Sequence, residues 1–187
     1  MDIPEVELTS ASLMRAAEAE SGLSDWGPNH YFEEPLRIYL AAVEATGNFH
    51  ALGRFVLWRT AVRLLANRLR LQRDYTKYPD ILATAIPKPL FILGLPRTGT
   101  TLLHNLLALD PQARSIPLWQ GLFPSPPPNA TTAAEDPRIA MTHEHVAMVN
   151  QIAPRLAMAH ALEPTGPEEC LWLMEHSFAD LIFDLRA

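Results

Sequence analysis

Between residues 49 and 73, Phe55, Trp58, Val62, Leu65 and Leu69 recur at spacings of three and four, with arginines on the opposite side. That period predicts an amphipathic helix over the stretch. A shorter helix is predicted over 36–46 (LRIYLAAVEAT), stopped by Gly47. Beyond Pro87 the pattern changes to Leu90-Phe91-Ile92-Leu93, a continuous apolar run between breakers, which suits a strand buried on both faces of a parallel sheet. Gly94 to Gly99 supplies a turn, and Thr100 to Leu109 reads as a helix ended by Asp110-Pro111. A weaker second strand is expected near Arg114 to Leu118, then an extended proline-rich loop from Phe123 to Pro128 and a helix over 137–152. Thr165-Gly166-Pro167-Glu168 resembles a capping box that opens a last helix through Leu171, Trp172 and Met174.

Proline divides the chain, for only Pro4, Pro28 and Pro35 of the 17 prolines precede Pro79. The expected fold class is α/β: a P-loop-like parallel sheet core in 86–187, preceded by an α-helical N-terminal segment, 1–85. With one convincing strand and one weak one the sheet is incomplete, so the chain reads as the N-terminal portion of a larger domain.

The 187 residues are 48% hydrophobic and 19% charged, as in a globular protein. The net charge of −6 argues against a nucleic-acid binder. Asp2, Glu5, Glu7, Glu18, Glu20, Asp25, Glu33 and Glu34 face only Arg15 before residue 36, whereas Arg54, Arg59, Arg63, Arg68, Arg70 and Arg73 crowd a later stretch. Each group reads as a solvated face. Cys170 is the only cysteine, so no disulfide framework can form. The acidic N-terminus is unlike a signal peptide and no apolar run reaches membrane-spanning length, so the expectation is a cytoplasmic protein without a membrane span.

The segment Gly94-Leu95-Pro96-Arg97-Thr98-Gly99-Thr100-Thr101 sets two glycines five apart where an apolar strand hands over to a helix. Amides in such a loop converge and a helix N-terminus adds partial positive charge, which suits a phosphate or sulfate oxyanion. Thr101 fits the last position of the Walker A pattern, but Thr100 stands where its lysine would be, which disfavours an ordinary kinase. The cation lies inside the loop as Arg97, whose guanidinium stays charged and can fork two oxygens. The plainer reading is a turn with Arg97 on the surface; the order strand, loop, helix and the threonine pair favour the oxyanion site.

The run from Leu90 to Thr101 closely resembles the 5′-phosphosulfate loop of sulfotransferases that use 3′-phosphoadenylyl sulfate (PAPS), particularly their bacterial branch. The resemblance continues through Leu102-Leu103-His104-Asn105-Leu106-Leu107, Pro117-Leu118-Trp119 and Pro167-Glu168-Glu169-Cys170. It implies that Arg97 occupies the position where many members carry a lysine that bridges the sulfuryl group and the leaving phosphate oxygen, while Pro96, Thr98, Gly99, Thr100 and Thr101 hold the donor's 5′-phosphate. It also implies PAPS as co-substrate, no metal, and a hydroxyl acceptor; Trp119, Phe123 and the apolar helices suggest a small, hydrophobic one, although such residues are more often core. The arginine and serine with which the family grips the donor's 3′-phosphate have no counterpart after the loop.

Sulfuryl transfer needs a group to take the acceptor's proton. His160 is the first candidate, with Glu168 or Glu163 behind it, because the stretch from His160 to Glu169 resembles the part of the bacterial enzymes that approaches the acceptor. His104, His143, His145 and Glu169 complete the candidates, and Glu168 has an alternative role as a helix cap. His143-Glu144-His145 is not a zinc motif, since histidines two apart on a helix face different ways. The other functional classes are a Mg²⁺-dependent nucleotide kinase or NTPase using the same loop, and a non-catalytic truncated remnant; a homo-oligomer is left open.

Overall fold

The apolar stripe from Phe55 to Leu69 folds as one long helix, α3 (Ala51–Lys77), whose first turn is capped by His50 Nδ1 accepting from the Gly53 amide at 3.0 Å. The computed structural model describes residues 3–95, 98–155 and 160–179. They form two units, 3–79 with 173–179, and 80–95 with 98–155 and 160–172.

In the first unit, α1 (Ser10–Ser21) and α2 (Glu33–Thr46) accompany α3. Thr9 Oγ1 accepts from the Ser12 amide at 3.2 Å to start α1. Gly22, at φ 69°, ends it in the left-handed conformation that glycine adopts without a Cβ clash. Leu13 and Ala17 of α1, Leu36 and Val43 of α2, and Val62, Leu65 and Leu69 of α3 are buried together with Phe32 and Phe178. This is the helical core that the spacing predicts.

Most of the early acids are exposed, as the sequence suggests, but Glu20 is paired with the arginine-rich stretch. Glu20 reaches Arg59 at 2.8 Å and Arg70 at 3.8 Å, and Glu44 reaches Arg54 at 2.8 Å. Packing α1 beside α3 brings Glu20 to arginines far from it in sequence. Arg63 meets the fully buried Glu175 at 2.8 Å, fastening the 3-10 turn Glu175–Ser177 to α3.

The second unit holds α4 (Asp80–Ala83), α5 (Thr100–Leu107), α6 (Leu118–Leu122), α7 (Pro137–Ile152) and, through Trp172, the first half of α8 (Leu171–Met174). Here the expected parallel sheet is overturned: the described residues contain no β-strand. Residues 84–95 have no regular structure, and Phe91 and Leu93 are 73% and 89% exposed. An apolar run favours extension and burial, but a strand exists only when a neighbour completes its ladder of hydrogen bonds. No neighbour is supplied among the described residues. Around the expected second strand there is one antiparallel bridge, Pro117 to Pro167, flanked by Leu118 N–H to Gly166 carbonyl at 3.2 Å and Glu168 N–H to Ile116 carbonyl at 2.9 Å.

The proline loop is tied to α7 by one buried arginine. Asp136 caps α7 by accepting from the Arg138 amide at 3.0 Å, and its carboxylate takes Arg138 Nε and Nη2 at 2.8 and 2.6 Å. Arg138 Nη1 donates to the Phe123 and Pro126 carbonyls, and its guanidinium lies 4.7 Å from the Trp119 ring centre. The arginine holds the Asp136 carboxyl below its usual range, chiefly through these side-chain hydrogen bonds. Among the described residues no helix is long and apolar enough to cross a membrane.

Candidate functional site

Two local constellations in the second unit carry the candidate chemistry. The first is the turn into α5. Gly99, at φ 90°, stands at the N-cap of the helix, and Leu103 N–H is bonded to the Gly99 carbonyl at 3.1 Å. The amides before Leu103, at the start of α5, therefore have no acceptor within the helix. Thr98 Oγ1 donates back to the Leu95 carbonyl at 2.6 Å. Gly94 is needed beside it, since a Cβ there would lie 2.7 Å from Thr100 Cγ2 and 2.8 Å from Thr98 Oγ1. Thr98, Gly99 and Thr101 are exposed and Thr100 is half-buried. Pro96 and Arg97 lie outside the described residues.

The second constellation joins His160 and Glu168. His160 Nε2 lies 3.2 Å from Glu168 Oε1 and 3.3 Å from Oε2. A carboxylate can only accept, so Nε2 donates, and in the tautomer this selects Nδ1 presents the lone pair. Glu168 is buried, and its Oε2 also accepts from Trp172 Nε1 at 3.1 Å and from the Glu169 amide at 3.3 Å. The expected capping role of Glu168 is not what the structure has, for α8 begins only at Leu171 and the carboxylate is occupied with His160 and Trp172.

Glu163 stands apart from this pair, exposed and accepting from Thr165 Oγ1 at 3.3 Å. His104 is half-buried in α5; on α7, His143 is exposed and His145 half-buried, in keeping with different facings. Among the described residues no group of three or more histidine, cysteine or acidic side chains is placed to hold a metal ion. Trp172 is the residue that reading the sequence for chemistry misses. Its position four residues after Glu168 is the available signal, and only the fold turns that spacing into a contact.

Residues 89–187, more than half the chain, match the model of the sulfotransferase family. Among solved structures, the chain is similar to sulfotransferase STF1 from Mycobacterium tuberculosis H37Rv, with 27% identity over 94% of this chain and 48% of that one and a TM-score of 0.80. It is also similar to sulfotransferase STF9 from Mycobacterium avium, with 27% identity over 98% of this chain and 47% of that one and a TM-score of 0.82. The chain thus spans about half the length of these two structures. No curated protein matches it. The family match covers the glycine-threonine turn and the stretch that carries the histidine–glutamate pair, and the chain belongs to the sulfotransferase family.

Proposed function

We propose that this chain serves in the transfer of a sulfuryl group from PAPS to the hydroxyl of a small, hydrophobic acceptor. The observation that carries this reading is the turn at Gly99, where exposed threonines and unclosed helical amides stand together within the family match. Amides and partial positive charge at a helix start favour an anion there. In this reading Pro96, Thr98, Gly99, Thr100 and Thr101 hold the donor's 5′-phosphate, and Arg97 neutralises charge on the phosphate oxygen as it leaves.

The acceptor oxygen attacks sulfur while the bond from sulfur to the 5′-phosphate oxygen breaks. His160 Nδ1 takes the acceptor's proton, and the Glu168 carboxylate, 3.2 Å from Nε2, stabilises the imidazolium that forms. The products are a sulfate ester and adenosine 3′,5′-bisphosphate. A transferring sulfuryl group bears less negative charge than a γ-phosphoryl group, so one arginine, backbone donors and a helix terminus suffice without Mg²⁺. The exposed, unpaired Cys170 accords with a reducing compartment such as the cytoplasm.

Calorimetry with adenosine 3′,5′-bisphosphate tests the donor site. Binding without Mg²⁺ that is lost in Arg97→Ala is expected. ATP binding that requires Mg²⁺ would refute the reading in favour of a nucleotide kinase.

A further inference from the structure

The Glu168 carboxylate needs a fixed rotation to face His160, because the terminal torsion of a glutamate is broad and two-fold. The backbone around it supplies one contact, the Glu169 amide at 3.3 Å, and the shorter one is the Trp172 indole at 3.1 Å, both to Oε2. Oε1 is then left as the nearer oxygen to His160 Nε2. The indole is seated from the other side. Trp172 packs with Leu118, Leu122 and Val146 in a small apolar cluster. It comes close to α6 only because Gly121 lacks a side chain: a Cβ there would lie 2.7 Å from Trp172 Cβ. A separation that short forces one of the two groups to shift.

We propose that Trp172 is a positioning residue for the acid–base pair, its indole N–H, seated by Gly121, turning the Glu168 carboxylate toward His160. The inference rests on the sulfotransferase reading for its catalytic meaning. An indole N–H donates and cannot accept, so Trp172 takes no part in moving the proton. It stabilises the ionised carboxylate and cuts the freedom that Glu168 would otherwise lose as the imidazolium forms. Tryptophan is required here rather than phenylalanine because the apolar cluster needs only the ring, whereas the carboxylate needs the N–H.

Nuclear magnetic resonance on the full chain and a transfer assay test this together. Glu168→Gln is expected to displace the Trp172 indole cross-peak, which is assigned by its loss in Trp172→Phe. In Trp172→Phe the His160 ring signals should move toward their positions in Glu168→Gln, and Gly121→Ala should move them the same way. In sulfuryl transfer from PAPS, Trp172→Phe should lower kcat about tenfold with KM for the donor unchanged, the effect of one hydrogen bond to a charged group. Trp26→Phe removes a similar indole bond, 2.9 Å to Glu18 Oε1 in the first unit, and should leave kcat unchanged. The inference is overturned if the indole signal ignores Glu168→Gln, if His160 ignores Trp172→Phe, or if Trp172→Phe transfers at the wild-type kcat. A wild-type chain that transfers nothing refutes the sulfotransferase reading instead, and the two resonance shifts then decide on their own whether Trp172 sets the pair.

Discussion

Acidification should loosen the first unit through one buried imidazole. His176 sits in the turn Glu175–Ser177 with Nε2 3.0 Å from Asn67 Nδ2 and Nδ1 3.2 Å from the Leu173 carbonyl. The carbonyl can only accept, so Nδ1 carries the proton and Nε2 accepts from the Asn67 amide. A second proton would set two donors against each other, and the Asn67 carbonyl oxygen that could relieve them by a flip is taken by Arg70 at 3.3 Å. Burial is the main cause that lowers the His176 pKa from 6.5 to about 4; Glu175 opposes it, while Arg63 and Arg68 reinforce it. The folded state therefore binds this proton less readily than the unfolded chain. The stability it protects is fully present above pH 6.5, falls as pH drops toward 4, and is gone below that. Each pH unit within the window is worth about 1.4 kcal/mol, so descent from pH 7 to pH 5 costs about 2 kcal/mol. Urea unfolding followed by far-UV circular dichroism at pH 7, 6 and 5 measures it. Other carboxylates titrate over the same range, and comparison with His176→Gln cancels them. The variant keeps an acceptor for Asn67 and a donor for Leu173 but cannot gain a charge. The wild-type stability advantage over the variant should shrink by about 2 kcal/mol between pH 7 and pH 5; a constant advantage would refute the reasoning.

Three further outcomes follow from the geometry. Arg63→Ala removes the guanidinium paired with buried Glu175 and should cost about 3 kcal/mol, whereas Arg59→Ala at a half-exposed pair should cost under about 0.5 kcal/mol, both read by urea unfolding. Arg138→Ala leaves the mostly buried Asp136 carboxylate without its fork and the Phe123 and Pro126 carbonyls without their donor; a loss of about 3 kcal/mol is expected, and Arg138→Lys should recover only part of it. Gly99→Ala meets open space but forces φ 90° on a residue with a Cβ, so it should cost about 1 kcal/mol or more and weaken adenosine bisphosphate binding in calorimetry; unchanged binding would detach Gly99 from the anion site.

Of the first unit's helices α2 and α3 could be read from the sequence and α1 was not foreseen; α3 was legible because an amphipathic helix is specified by residues three and four apart. The predicted stretches 49–73 and 137–152 correspond to Ala51–Lys77 and Pro137–Ile152. Asp136 and Pro137 mark the start of α7 in the sequence itself, through a side-chain cap and a proline at the first turn. The run Leu90 to Leu93 was misleading for the same physical reason: its apolarity is local, but the hydrogen bonds of a sheet come from elsewhere in the chain. The threonines and glycines of the turn were legible because helix starts and left-handed glycine depend on near neighbours. The pairing of Glu20 with Arg59 or Glu175 with Arg63 was not, since nothing local joins residues so distant in sequence.

By itself the sequence determined α2, α3 and α7, the glycine-led start of α5, and the family to which that start points, all of them consequences of short-range spacing and backbone preference. Only the tertiary structure decided that Glu168 faces His160 rather than capping a helix, that Gly121 admits Trp172 against it, and that His176 is buried against α3. Those outcomes depend on which side chains burial brings within 3 or 4 Å of one another, and chain order alone does not contain that distance.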